Sequence, residues 1–355
     1  MKLNILIIIF SMLLGIVLVF HFNAKNNAKR VRDMSGYKIF VSIPSYRDNE
    51  CPETVYNLFE NAKYPSRIHI GIFQQNSESE DIDCEMQYCS LNENCRNNQI
   101  TIKRVDYKEA KGPTHARVKL LEMIKNEDFF LSIDSHTRFS KHWDKKLIDQ
   151  WLLCDNEKAI LTTYPRPYEP EKHDNQSNMS KIPHLCKTWF DKGMPRGKAV
   201  YVNKQDTPIL TSLYSANFAF MPMNAMKEAP LDPHTPNLFS GEEFYVAARF
   251  WTNGYDFYTP QTDIIYHFYT RNDAPKFWEE VPNYKEQREK SENRVRKQFG
   301  LSYDSSKIYD KDIEKYKMGN KRSFKQYLDF TKVDLENKKE LEDNCKINSI
   351  EKVEY

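Results

Sequence analysis

Phe129-Phe-Leu-Ser-Ile133 runs directly into Asp134-Ser-His-Thr-Arg-Phe139, and this junction of an apolar pentapeptide with charged residues decides the fold. The run is too short for a helix and fits a strand buried on both faces. Working outward, Lys38-Ile-Phe-Val-Ser-Ile43 (stopped by Pro44), Ile68-His-Ile-Gly-Ile-Phe73 and Ile100-Thr-Ile-Lys-Arg-Val105 read as three further strands. A helix over Pro52–Ala62 carries Val55, Leu58 and Phe59 on one face. A second is opened by Gly112-Pro113-Thr114, with proline where a first turn tolerates it, and runs to Lys125. Ser77 to Asn98 is polar and reads as a loop, whereas Trp143–Leu153 is again amphipathic. Strands alternating with helices predict an α/β domain around a mostly parallel sheet covered on both faces. In such sheets ligands bind beyond the carboxyl ends of the strands. Asp134 and His136 fall there.

Past residue 158 the pattern loosens, with strands expected at Ala159–Tyr164 and Ser215–Met221. A helix over Gly241–Asn253 buries Phe244, Ala247, Ala248 and Trp251 and stops at Gly254. Asp263-Ile-Ile-Tyr-His-Phe268 is the last clear strand. Residues 282–355 are rich in Lys and Glu and read as a charged helical appendage to a domain spanning 37–281. At the other end Leu3 to Phe22 is apolar, interrupted by Asn4, Ser11, Gly15 and His21. That length suits a helix crossing a bilayer, and its end at Phe20-His21-Phe22 lacks a small-x-small cleavage site. Residues 1–22 are therefore expected to be an uncleaved transmembrane anchor, making a single-pass membrane protein, with 23–36 as a stalk. Lys25, Lys29, Arg30 and Arg32 follow the run and only Lys2 precedes it, a bias towards a cytoplasmic domain. The sequons at Asn175 and Asn178 matter only on the lumenal side, and the side stays open.

Composition removes several classes. A net charge of +2 provides no bulk field for nucleic acid. With 10 glycines, and neither GxGxxG nor GxxxxGK[ST], glycine-rich phosphate cradles are absent from the sequence. The 21 Tyr, 21 Phe and 5 Trp supply packing and faces on which sugars or bases can stack. Of the 7 cysteines, Cys84, Cys89 and Cys95 cluster in the polar stretch. They fit a disulfide-pinned loop or reduced thiols better than zinc, which the absence of C-x-x-C disfavours.

Asp134-x-His136 is the sharpest local signal, because alternate residues of an extended segment point the same way. One carboxylate and one imidazole suit Mn²⁺ or another divalent cation completed by a substrate phosphate. Arg47, Lys111, Arg117 and Arg138 lie in or beside the first sheet and could meet charge developing on a leaving group. Gly241-Glu242-Glu243 sets two acids at a helix N-terminus, which the dipole favours in any case. His267 sits in an apolar strand.

The ordered set Ile43-Pro-Ser-Tyr-Arg-Asp48, Gly112-Pro-Thr-His-Ala-Arg117, Ile133-Asp-Ser-His-Thr-Arg-Phe139, Phe239-Ser-Gly-Glu-Glu243, Arg249-Phe-Trp-Thr-Asn-Gly-Tyr255, Tyr266-His267 and Met318-Gly-Asn-Lys-Arg-Ser-Phe324 resembles the GlcNAc-transferase family, which includes the polypeptide (hydroxyproline) GlcNAc-transferase. More distantly it is similar to the polypeptide GalNAc-transferases. The resemblance implies a GT-A-like fold with a mixed, mostly parallel central sheet. It also implies a retaining, metal-dependent transfer of sugar from UDP-GlcNAc to a hydroxyl of a protein or glycan. Carried over by motif, it gives Asp134, His136 and His267 as metal ligands and sets Arg117 near the nucleotide; with Arg47 and Arg138 from beside the first sheet, and Asp134, these are the candidate donor-binding residues. Glu242 matches the acid of the relatives' Gly-Gly-Glu, with Ser240 where they have the first glycine; Glu242 and its neighbour Glu243 are the candidate catalytic residues, with Glu242 expected to position sugar or acceptor. The competing readings are a catalytically silent carbohydrate-binding membrane protein and a metal-dependent phosphoesterase. The latter would gather a second compact set of ligands, which the scattered histidines do not supply.

Overall fold

The computed structural model describes residues 36–168, 179–271 and 273–346. The expected anchor (1–22), most of the stalk and both sequons lie outside these residues. Among the described residues no helix is long and apolar enough to cross a membrane.

Eight strands form the main sheet: β1 (Ile39–Tyr46), β2 (Ile68–Asn76), β3 (Ile100–Asp106), β4 (Phe129–Ile133), β6 (Ala159–Thr162), β10 (Ile209–Thr211), β11 (Phe218–Pro222) and β12 (Asp256–Thr259), in the order β10-β12-β6-β11-β4-β1-β2-β3. Pairs β1–β2, β2–β3, β1–β4 and β6–β12 are parallel. β11 runs antiparallel between β4 and β6, so the sheet is mixed. The chain steps outward from β1 to β3 and then returns to the other side of β1 with β4. The carboxyl ends of β1 and β4 therefore flank a topological switch point, where a crevice opens.

β1 and β4 are buried on both faces, as their unbroken apolar runs require. Phe40 and Phe130 stack across them at 5.8 Å, while Ser42 and Ser132 sit directly opposite each other. The helices Cys51–Glu60, Gly112–Leu121 and Trp143–Leu153 fall where the sequence periodicity predicts. The second ends four residues earlier than expected, at Leu121.

Three segments differ from expectation. The polar stretch 77–98 is not all loop: Cys84–Leu91 is a helix, N-capped by the Asp83 side chain and joined to the first helix by a Cys51–Cys84 disulfide. Cys89 pairs with Cys95, so this is a disulfide-pinned segment and not a zinc site. Between β6 and β11 lies a long hairpin of β8 (Lys181–Asp191) and β9 (Met194–Asn203), turned at Lys192-Gly193, both with positive φ. Beyond 282 a helix does form over Tyr284–Gln298, but the segment is knit into the core. Val295, Phe299, Tyr327 and Val333 are buried with the helix Glu242–Thr252, whose Phe244 meets Phe299 at 5.7 Å and Tyr327 at 5.2 Å. Arg294, fully buried, grips both oxygens of Asp232 and two main-chain carbonyls, satisfying a charge that burial would otherwise penalise. A Cys186–Cys345 disulfide fastens the far end to β8.

Candidate metal and donor site

A small second sheet builds the site. β5 (Thr137–Phe139) pairs with β13 (Ile265–His267), which in turn pairs with β7 (Arg166–Pro167). The register sets His267 opposite Thr137, so a histidine 133 residues away arrives beside Asp134 and His136. The turn between β4 and β5 is held from below by Thr54, whose hydroxyl donates to the Ser135 carbonyl at 2.8 Å and accepts the Thr137 N–H at 3.0 Å. One oxygen and two imidazole nitrogens of Asp134, His136 and His267 all lie within 4.8 Å of one another. Among the described residues this is the one such group of three, so no second cluster of a two-metal site accompanies it.

The two oxygens of Asp134 have separate partners. Oδ1 accepts from Arg117 Nη2 at 2.9 Å, while Oδ2 lies 3.1 Å from His267 Nε2 and 3.9 Å from His136 Nε2. Burial alone would raise the Asp134 carboxyl, but the His267 hydrogen bond and the charge of Arg117 hold it well below the usual carboxylate range. Burial also pushes His267 down, towards the neutral imidazole that binds a cation. Asp48, two residues past β1, is buried and has four partners, three in hydrogen bonds and Arg271 in an ion pair. Its Oδ2 takes the Ser135 hydroxyl and His136 Nδ1 (2.8 Å); its Oδ1 takes Arg271 Nη2 (3.0 Å) and the Glu50 N–H (3.0 Å).

The group opens into a cleft of about 350 Å³ at the sheet's switch point, within the range of small-ligand sites. Tyr46, Phe239, Phe277 and Trp278 give it apolar walls, and Arg271 and Lys276 join the three metal-site residues on its polar side. Flat aromatic walls with a few convergent charges suit a ligand carrying both rings and phosphates.

Other expected site residues stand elsewhere. Arg47 is spent on an acidic cluster, with Asp81 at 2.8 Å and Glu80 and Glu280 each at 2.7 Å, and it stacks over Tyr107. Arg138 pairs with Glu50 at 2.5 Å and lies over the Phe268 ring, facing away from the cleft floor because it alternates with Thr137 along β5. Neither lines the cleft. Glu242 and Glu243 lie behind it. Glu242 bonds Arg117 Nη1 at 3.1 Å, so Arg117 bridges it to Asp134. Burial, with the neighbouring Glu243 adding to it against Arg117, raises Glu242 to about 7. Glu243 has both oxygens occupied, by the Tyr164 hydroxyl and the Ala216 N–H, and is a strap between segments. The turn into this helix needs Gly241, at φ +85°: a Cβ there would fall 2.6 Å from Met194 Cε. Asp48, Arg271, Lys276 and Trp278 went unrecognised in the sequence. An acid just past a buried strand was the available sign for Asp48; Arg271, four residues past His267, carried none.

The glycosyltransferase (GlcNAc) family model matches residues 38–95 and 81–337. No curated protein matches the chain. Among solved structures it is similar to GalNAc-T7 with UDP, GalNAc and Mn²⁺, at 14% identity and TM-score 0.57, over 84% of this chain and 57% of that one. The chain thus spans little more than half the length of that protein. A mannosyltransferase PcManGT from Pyrobaculum calidifontis in complex with GDP-Man and Mn²⁺ aligns at 13% identity and TM-score 0.45, over 81% of this chain and 71% of that one. S. aureus TarS 1-349 in complex with UDP-GlcNAc aligns at 14% identity and TM-score 0.44, over 73% of each chain.

Proposed function

Because this chain belongs to the glycosyltransferase (GlcNAc) family and is a transferase, we propose that it moves GlcNAc from UDP-GlcNAc onto a hydroxyl of a protein or glycan, with retention and with Mn²⁺ held by Asp134, His136 and His267. The observation that carries this reading is the convergence of those three side chains in a cleft at the switch point of the sheet. The donor set fits one ion. Metal–ligand bonds of about 2.1 Å put neighbouring ligand atoms roughly 3 Å apart, and Asp134 Oδ2 stands 3.1 and 3.9 Å from the two imidazole nitrogens. A protein of the same fold, GalNAc-T7, has been crystallised with UDP and Mn²⁺. When bound, the ion supplies neutralisation of charge on the diphosphate leaving group.

The chain's own residues do the rest. Arg117 holds Oδ1 of Asp134 and so turns Oδ2 towards the two histidines. Glu242 in turn anchors Arg117 from behind, which makes it a positioning residue. Arg271 and Lys276 add positive charge on the cleft side where a diphosphate would lie. The carboxylates among the described cleft residues are Asp48 and Asp134, and both have their oxygens engaged. With no free carboxylate there to form a covalent intermediate, the arrangement supports attack by the acceptor hydroxyl from the leaving-group side. A diphosphate oxygen then takes its proton.

Three disulfides belong to an oxidising compartment, and on that ground we infer a lumenal domain against the bias of the basic residues after the apolar run. The test of function is donor hydrolysis by the full-length chain across several nucleotide sugars, with Mn²⁺ or with EDTA. Metal-dependent release of UDP from UDP-GlcNAc, lost in Asp134→Asn, is expected. Release that is equal in EDTA overturns the metal reading, and preference for another sugar overturns the donor.

A further inference from the structure

We propose that Asp48 is a positioning residue that keeps the proton of His136 on Nδ1 and thereby presents Nε2, unprotonated, to the cation; this rests on the metal reading above. The hydrogen bonds around His136 leave little choice. Nδ1 lies 2.8 Å from Asp48 Oδ2 and 2.9 Å from Arg271 Nη1. A carboxylate only accepts and a guanidinium only donates, so the single position on Nδ1 cannot serve both. If Arg271 donated to Nδ1, that nitrogen and Asp48 Oδ2 would be two acceptors facing each other at 2.8 Å in a buried place. If Nδ1 carries the proton, it donates to Asp48, and Arg271 keeps its ion pair with Asp48 Oδ1 at 3.0 Å. Arg271 Nη1 then faces a donor and has to turn from Nδ1, which its partly exposed side chain can do, whereas the buried Asp48 carboxylate cannot turn away. Nε2 is left as a lone pair directed at the Asp134 side of the cleft.

A carboxylate behind a metal-binding imidazole fixes both the tautomer and the ring's orientation. Asp48 is itself fixed, being 3% exposed and holding two further donors, Ser135 and the Glu50 N–H. Asp48 follows β1 and His136 follows β4, the two parallel neighbours that flank the switch point.

Two measurements on the full-length chain test the assignment. In the metal-free protein labelled with ¹⁵N-histidine, with His136 identified by the signals lost in His136→Gln, the proton is expected on Nδ1; a proton on Nε2 overturns the proposal. By calorimetry with Mn²⁺ in the presence of UDP, Asp48→Asn is expected to bind roughly 10- to 100-fold more weakly than wild type. An amide can donate to Nδ1 and drive the proton to Nε2. A purely structural role for Asp48 would lower the melting temperature without moving the tautomer or the Mn²⁺ affinity. Equal affinity in the two proteins overturns this proposal alone, whereas a wild type that binds no Mn²⁺ overturns it together with the metal reading. Should Asp48→Asn not fold, the wild-type spectrum still decides.

Discussion

Replacing Glu242 with Gln is expected to change how stability depends on pH, by an amount the structure sets. Glu242 is buried, and its carboxyl is raised from 4.5 to about 7, first by burial, with Arg117 opposing and Glu243 reinforcing. A raised acid holds a proton in the folded state that the unfolded chain has already released. Stability contributed by this group is therefore complete below the unfolded value of 4.5 and is lost as pH rises through 7, beyond which the loss is constant. The rise from 4.5 to about 7 corresponds to a loss on the order of 3 kcal/mol. Glutamine does not titrate, nearly matches the shape, and leaves the Arg117–Asp134 bond in place. The stability of Glu242→Gln minus that of wild type should thus climb by about 3 kcal/mol between pH 4.5 and 7 and then level off. Urea unfolding of both proteins in EDTA, at half-unit steps from pH 4.5 to 8.5, reads the difference directly. Taking the difference cancels groups that do not interact with Glu242, such as Asp263, whose carboxyl burial also raises. Parallel curves would refute the reasoning, because they would mean that Glu242 is charged throughout and Arg117 fully compensates its burial.

Asp134→Asn should cut metal-dependent turnover by more than the ~100-fold that loss of an outer partner can reach, with the far-ultraviolet dichroism unchanged. Mn²⁺ with UDP, at about 100 times the dissociation constant, should stabilise the wild type by ~2.7 kcal/mol and leave Asp134→Asn where it was; differential scanning fluorimetry compares the two. Tyr327→Ala removes a fully buried ring whose hydroxyl donates to the Ser212 carbonyl at 3.0 Å. A cost of roughly 3–5 kcal/mol in chemical denaturation is expected. Thiol titration of the denatured, unreduced chain should find one reactive cysteine, Cys154, against three disulfides.

Elements with strong periodicity were legible in the sequence: β1, β2, β4 and the helix Trp143–Leu153 follow directly from apolar patterning. The helix Cys84–Leu91 was not, because it buries only Cys84 and Tyr88 and leaves Met86 and Leu91 exposed, so no apolar stripe marks it. The hairpin β8–β9 was obscured by Pro183 and Pro195 and by its lysines, although Lys192-Gly193 was a usable turn sign. Past residue 282 the surface lysines and glutamates outnumber the buried Val295, Phe299 and Tyr327, and composition averages over the few residues that matter for packing. At the site, Asp134, His136 and His267 came together as the motifs implied. Arg47 and Arg138 did not join them, since each found carboxylates nearer at hand. Whether a charged side chain is free or already paired depends on contacts from distant segments such as Glu80 and Glu280, and those are invisible in local sequence.

The packing of residues 284–346 bears on how the protein is made. A nascent chain emerges from its amino end, and β1 to β4 are complete before residue 140. Yet the helix carrying Glu242 lies against Phe299 and Tyr327, and Cys345 supplies the bond to Cys186. The buried face of that helix lacks these partners until residues 299–327 have emerged from the ribosome. A truncated translation product ending near residue 280 would hold every metal-site residue named here and still display Phe244 and Trp251 to solvent, which makes it a client for chaperones and quality control, not a smaller enzyme.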